Sequence, residues 1–227
     1  MADGPTIVGM GGLSWDDEER RRLEDYWLAL TGAERPKVLV VPTAAGEDAE
    51  LTLMLFGQLA DRAELSHLSF FPWPPGDLHE LTLRQDAIYV TGGNTANALA
   101  IWRRHGFDTI LREAWEAGIV LTGWSAGMIC WFEASVTDSF GPQLEGMRDG
   151  LGFLAGSACP HYDGEERRRP VYRGLVADGF PAGVAAEDGV GIVYRGTELA
   201  EVVSVRPNAT AFRVGPDGEE PIPARRL

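Results

Sequence analysis

The sequence is poor in lysine, cysteine and histidine, and each shortage narrows what the chain does. Lys37 is the single lysine among 227 residues, and the other basic side chains are arginine. Lys and Arg together number 20 against 34 Asp and Glu, a formal net charge of −14. Nucleic-acid binding that neutralises phosphates needs the opposite sign, and so does docking on an anionic membrane surface; neither partner is expected. The two cysteines, Cys130 and Cys159, form no disulfide framework and no metal-type spacing. They read as small buried side chains in a reducing compartment. The uncharged stretch at residues 117–132, which no other exceeds in length, is too short for a membrane span and carries Gly, Ser and Thr. Residues 1–10 lack the basic-then-apolar order of a signal peptide. The expectation is a soluble cytoplasmic protein.

What is present is an ordinary globular composition, 44% hydrophobic and 24% charged, which excludes a disordered or collagen-like chain. No repeat, low-complexity linker or shift in composition marks a boundary. A single α/β domain over residues 1–227 is therefore the simplest reading. Apolar runs alternate with helical patterns. Strands are expected at 6–9, 38–41, 65–71, 87–90 and 119–122. Helices are expected at 16–30, 47–62, 95–104 and 108–117, with a further helical stretch at 128–132. Ser14 or Asp16 is placed to cap the first helix. This order points to a mostly parallel sheet with helices on both faces. Beyond Val136 the pattern changes. Residues 141–150 read as loop and 165–178 as helix. Late strands at 190–194, 201–205 and 210–214 are expected to be partly antiparallel.

Gly123-Trp124-Ser125-Ala126-Gly127 stands between a strand signal and a helical one, the context of a nucleophile elbow. Such a turn strains the serine backbone and projects its hydroxyl above the sheet edge. The amide of Ala126 is then available to a developing oxyanion. A serine nucleophile needs a base, and of four histidines only His161 follows the serine. It comes after the small-residue run 156–160, on a loop expected at the carboxyl edge of the sheet, where open α/β sheets bind ligands. His105, among arginines at a helix end, reads instead as a C-terminal residue favoured by the helix dipole. The acid that would orient the imidazole is open among Asp138, Asp163, Glu187 and Asp188. Thr91-Gly92-Gly93-Asn94, a glycine pair between a strand and a helix, offers a second oxyanion donor. Walker and dinucleotide fingerprints are absent: Gly9-Met10-Gly11-Gly12 lacks the third glycine.

Taken together, Thr91-Gly92-Gly93-Asn94, Gly123-Trp124-Ser125-Ala126-Gly127, Pro160-His161-Tyr162 and Glu187-Asp188-Gly189, with the earlier Pro42-Thr43-Ala44, resemble the aspartyl dipeptidase (peptidase E) family of serine peptidases, related to cyanophycinase. The resemblance spans roughly residues 37–195. It implies a class I glutamine-amidotransferase-like (flavodoxin-like) α/β fold with a nucleophile elbow, and a Ser-His-Glu triad without cofactor or metal. On that basis Ser125 is the nucleophile, His161 the base and Glu187 the acid. Asp138 is the alternative acid, and Gly93 and Ala126 are the oxyanion donors. The segment Met128-Ile129-Cys130-Trp131 is bulkier than its counterparts in aspartyl dipeptidases and is expected near the substrate.

The function this implies is hydrolysis of short peptides through an acyl-enzyme, in particular dipeptides with an N-terminal aspartate, by a monomer or homodimer. The alternatives are another acyl hydrolase (cyanophycinase-like or esterase) and a non-catalytic amidotransferase-like binding domain. An acidic substrate meets long-range repulsion from the net charge. It therefore needs a local guanidinium, for which Arg167, Arg168, Arg169 and Arg173 are candidates.

Overall fold

The computed structural model describes residues 4–227. The first three residues of the 1–227 reading, and of the 1–10 segment read for a signal peptide, lie outside the described residues. The chain begins with β1 (Thr6–Met10) and α1 (Asp17–Ala29), whose N-cap is Asp16. The Asp16 carboxylate accepts the Glu19 amide at 2.9 Å, while Ser14 braces Glu19 from the side at 2.7 Å. Next come β2 (Lys37–Val41), α2 (Ala49–Leu59), β3 (Glu64–His67), α3 (Leu78–Leu83) and β4 (Ala87–Val90). Then follow α4 (Thr95–His105), α5 (Phe107–Glu116), β5 (Val120–Trp124) and α6 (Ala126–Ile129). The second half runs β6 (Phe132–Thr137), β7 (Glu145–Met147), β8 (Leu154–Cys159), α7 (Arg168–Ala177), β9 (Gly183–Ala186) and β10 (Val190–Arg195). It ends with β11 (Glu198–Ser204), β12 (Ala211–Gly215), β13 (Gly218–Ile222) and β14 (Arg225–Arg226).

Among the described residues these strands form two sheets. The larger has the order β14-β11-β10-β1-β5-β4-β2-β3, and its members β1, β5, β4, β2 and β3 are parallel. Alternate residues of these strands serve opposite faces. Val8, Met10, Val38, Val40, Tyr89 and Val120 pack under α1 and α2 with Leu23, Trp27, Leu55 and Leu59. Ile7, Leu39, Val41, Ile88, Val90 and Leu121 face α4, α5 and α6 with Leu99, Trp102, Leu111 and Met128. Helices therefore cover both faces, as a mostly parallel α/β sheet requires. The second sheet, β13-β12-β9-β8-β6-β7, joins the same core through Phe132, Leu154, Val184 and Ala211. Its other face is closed by Tyr172 and Val176 of α7.

Several local expectations shift. The helical stretch expected at 128–132 ends at Ile129, because Leu151, Gly152, Phe153 and Leu154 donate amides to the carbonyls of Cys130, Phe132 and Trp131 and draw the chain into β6. Met128, Ile129, Cys130 and Trp131 are all buried in the core, so they do not face a substrate as expected. The strand expected to reach residue 71 stops at His67; beyond it Glu47 captures the Phe70 and Phe71 amides. The 141–150 loop contains β7. All of the 156–160 run but Pro160 forms the end of β8, a central strand. Its small residues hid it, and at Gly156 the smallness is needed: a Cβ there would lie 2.6 Å from the Ala182 carbonyl oxygen. Cys130 and Cys159 are free and buried; burial raises the Cys159 thiol to about 12, so neither side chain is a reactive thiolate. His105 is the last residue of α4, ahead of its Gly106 C-cap, and its ring packs 5.3 Å from that of Phe70.

Candidate active site

The carboxyl ends of β1, β4 and β5 lie side by side, and the site is built on them. Ser125 follows β5 with φ 54° and ψ −112°, a conformation that costs an L-residue on the order of 1–3 kcal/mol. Its surroundings hold it there. The Ser125 amide donates to the Met10 carbonyl at 3.1 Å, and the Ser125 carbonyl accepts the Met128 and Ile129 amides at 2.9 and 3.0 Å. The flanking glycines have one shared cause: a side chain at either Gly123 or Gly127 would run into the Val90 carbonyl at the end of β4. The elbow pattern is thus a record of how closely β4 approaches.

Val90 and Gly123 are cross-strand partners. Gly93 and Ala126 each lie three residues beyond that pair, at the N-termini of α4 and α6 respectively. Gly93 has φ 131° and is exposed, in a turn pinned by the Asn94 amide on the Ala44 carbonyl at 2.7 Å. Asn94 caps α4 through the Asn97 amide at 2.9 Å. The residues expected as oxyanion donors therefore open two neighbouring strand-to-helix turns.

His161 also has positive φ, 52°, a region histidine tolerates better than most side chains. Its amide donates to the Gly11 carbonyl at 3.2 Å. Its Nδ1 lies 2.7 Å from Asp188 Oδ1, and both side chains are about four-fifths buried, at 21% and 18% exposed. A carboxylate only accepts, so Nδ1 carries the proton, and in the neutral ring Nε2 then presents its lone pair. The Gly189 amide then donates to the Gly12 carbonyl at 2.9 Å. Three consecutive carbonyls at the end of β1 thus fix the elbow, the imidazole and the turn that bears Asp188. Gly12 abuts the pair so closely that a Cβ there would sit 2.6 Å from His161 Nδ1 and 2.8 Å from Asp188 Cγ.

This geometry sets Asp188, not the expected Glu187, against the imidazole. Glu187 does not face His161: its carboxylate accepts the Thr210 amide at 2.8 Å, and burial raises its pKa. Neighbouring residues leaving a strand project to opposite sides, so Glu187 and Asp188 cannot both reach the imidazole. Asp138, the alternative, has a side chain 57% exposed and lies 3.8 Å from Arg168. Its loop does touch the site, because Asn94 Nδ2 donates to the Ser139 carbonyl and the Ala96 amide to Ser139 Oγ. Asp163, the fourth candidate, accepts the Asp188 amide at 2.9 Å rather than the imidazole. What sequence reasoning missed is Arg206, which donates to Asp163 Oδ2 at 2.8 Å and to the Asp188 carbonyl at 3.0 Å. No local pattern around Arg206 signals this, since its partners lie 43 and 18 residues away.

The arginines after His161 are engaged. Arg168 is buried and donates to Glu165 and to the Val136 carbonyl at 2.7 and 3.1 Å. Arg169 pairs with Glu219, and Arg173 lies 3.8 Å from the same carboxylate. Arg167 binds Gln143 and the Pro142 carbonyl at 2.9 and 2.5 Å. Among the described residues, no group of three or more His, Cys, Asp or Glu side chains is arranged to hold a metal ion, and no helix is long and apolar enough to cross a membrane.

The family model for peptidase family S51 matches residues 7–202. The chain is 44% identical over 212 residues to an uncharacterized peptidase, YgaJ, of Bacillus subtilis, covering 92% of this chain and 91% of that one. Among solved structures it is similar to a peptidase from an acI-B1 Actinobacterium, with TM-score 0.68 at 18% identity over 96% of this chain and 94% of the other. It is similar too to a putative peptidase E protein from Listeria monocytogenes, with TM-score 0.65 at 18% identity over 88% of this chain and 98% of the other. The fold is thus that of the peptidase E proteins, and the chain belongs to peptidase family S51.

Proposed function

We propose that this peptidase is of the serine type and cleaves short peptides through an acyl-enzyme on Ser125, with His161 as base and Asp188 as its orienting acid. The observation that carries the reading is the strap at residues 10–12, whose successive carbonyls hold the strained serine, the imidazole and the Asp188 turn. His161 Nε2 takes the Ser125 proton as Oγ attacks the scissile carbonyl. Charge develops on the carbonyl oxygen, and the amides of Gly93 and Ala126 stabilise it; removing one such donor typically costs about 10²–10³ in kcat. Asp188 fixes the Nδ1–H tautomer and stabilises the imidazolium, which then protonates the leaving amine. Water admitted to the same base releases the acyl group. No step calls on a metal or cofactor, so a chelator should leave the rate unchanged.

Within short peptides, the family resemblance favours dipeptides with an N-terminal aspartate. The present partners of Arg167, Arg168, Arg169 and Arg173 bear on this. A substrate carboxylate bound by one of them would have to displace Glu165, Glu219 or the Pro142 carbonyl. The enzyme is taken to work in the cytoplasm, as a monomer or homodimer. A dipeptide-library assay of wild type beside Ser125→Ala tests the reading. Wild type should release free amino acid, with an Asp-first preference, and Ser125→Ala should lose about 10³-fold or more. Ester hydrolysis without peptide cleavage would favour the acyl-hydrolase alternative. Full activity in Ser125→Ala would overturn the serine mechanism.

A further inference from the structure

We propose that Arg206 is a positioning residue for the reaction: it holds Asp188 against His161 through Asp163, from a C-terminal segment beyond the residues matched by the family model. The inference rests on the serine-peptidase reading above. The family match ends at residue 202, yet the chain continues from β11 straight into the site.

The geometry forms a closed ring. Asp163 Oδ1 accepts the Asp188 amide at 2.9 Å. Asp163 Oδ2 accepts from Arg206 Nη1 at 2.8 Å, and the same Nη1 donates to the Asp188 carbonyl at 3.0 Å. Both main-chain polar groups of Asp188 are therefore held by one ion pair. That matters because aspartate has only two side-chain torsions, so its carboxylate goes where its backbone is placed. Arg206 is itself fixed. Its amide donates to Ser204 Oγ at 3.2 Å, the Ser204 hydroxyl donates back to the Arg206 carbonyl at 2.9 Å, and Val205 donates to the Gly189 carbonyl at 3.0 Å. The arginine stem lies over Gly189, where a Cβ would meet Arg206 Cδ at 2.9 Å. Gly189 is the residue anchored to Gly12, so Arg206 closes the turn on the side opposite the strap.

Charge supports the same role. Asp163, Glu187 and Asp188 converge on this turn, and the Arg206 guanidinium attracts all three. Burial lowers the Arg206 pKa, but the Asp163 hydrogen bond and the three carboxylates more than offset it, so the net shift is upward. Losing the guanidinium would leave the carboxylates to repel one another and loosen the Asp188 backbone. The Arg206 guanidinium hydrogen-bonds to Asp163 and Asp188 and to neither Ser125 nor His161, so it acts through Asp188.

The test compares Arg206→Gln, Arg206→Lys and Arg225→Gln in the full chain, with kcat and KM on a cleaved dipeptide and melting temperature as a fold check. Arg225 pairs with Glu201 at 3.0 Å, away from the site, so its variant should match wild type. Arg206→Gln should lower kcat by about 10-fold or more with KM within about two-fold, since a misplacement near 1 Å costs on the order of 10² in rate. Arg206→Lys should recover part of kcat by restoring one donor and the charge without the planar fork. An unchanged kcat in folded Arg206→Gln would overturn the proposal. So would a rise in KM alone, which would make Arg206 a substrate contact, or an Arg206→Lys variant as impaired as Arg206→Gln. If Arg206→Gln does not fold, Arg206→Lys decides: reduced kcat at unchanged KM supports positioning, and wild-type values overturn it. Ser125→Ala, run alongside, must be inactive. Activity there defeats the serine-peptidase reading instead, so the two failures are told apart.

Discussion

Replacing Gly12 by alanine adds one methyl group at the point where strap, imidazole and acid meet. Gly12 is not among the residues with positive φ, so alanine fits the backbone and the effect is steric. The new carbon would overlap Asp188 Oδ1 and lie 2.6 Å from His161 Nδ1. Ordinary contact begins near ~3.5 Å, so the carboxylate must retreat by well over ~1 Å and the imidazole by about 0.9 Å. Retreats of that size carry their 2.7 Å hydrogen bond beyond ~3.5 Å, the edge of what counts as a bond. An imidazole without its acid loses up to about 10⁴ in kcat, and a displacement of this size costs on the order of 10². We expect Gly12→Ala to lower kcat by about 10²–10⁴ with KM little changed. The stability loss should be about 1–3 kcal/mol as for an overpacked core, and less if Asp188 swings toward solvent. Steady-state kinetics and urea denaturation measure both. Combination with Asp188→Asn should add little, because both changes break the same bond. A folded Gly12→Ala enzyme within about three-fold of wild-type kcat would refute the assignment of the His161–Asp188 pair.

Other outcomes follow from the same geometry. Asp188→Asn should lower kcat by about 10³–10⁴, whereas Glu187→Gln, whose amide oxygen still accepts the Thr210 N–H, and Asp138→Asn should stay within about three-fold. A crippling Glu187→Gln would restore the glutamate triad. Glu219 ties β13 to Arg169 and to the Tyr162 hydroxyl beside His161. Burial pushes its pKa up, but these bonds push harder, so the folded value is below the ordinary 4.5. Its stabilisation is therefore complete above that pH and fades as pH falls through the lowered value. Glu219→Gln should cost about 1–2 kcal/mol near neutrality and match wild type at pH values well below the ordinary carboxylate range. An equal deficit at both pH values in chemical denaturation would contradict this.

The elbow was legible in the sequence because its glycines answer to a single nearby feature, the Val90 carbonyl, and because strand and helix signals flank it. The parallel core was legible for a similar reason: Val38-Leu39-Val40-Val41 and Ala87-Ile88-Tyr89-Val90 are buried on both faces and read as apolar runs. The second sheet was less so. β8 is built of small residues that pass for a loop, and β7 and β13 are short and polar. The acid was the hardest to read. Glu187 and Asp188 are adjacent, and the choice between them is made by Thr210, Asp163 and Arg206, which are distant in sequence. Local pattern places an acid at the turn, while only the tertiary contacts decide which one turns inward.

Ser125 as the nucleophile is most directly tested by labelling the folded protein with a fluorophosphonate and mapping the adduct by peptide mass spectrometry. The adduct should fall on the peptide carrying Ser125, form at a rate sharply reduced in Asp188→Asn, and be missing in Ser125→Ala. An adduct on another residue, or unlabelled wild-type enzyme that still cleaves peptides, would contradict the mechanism.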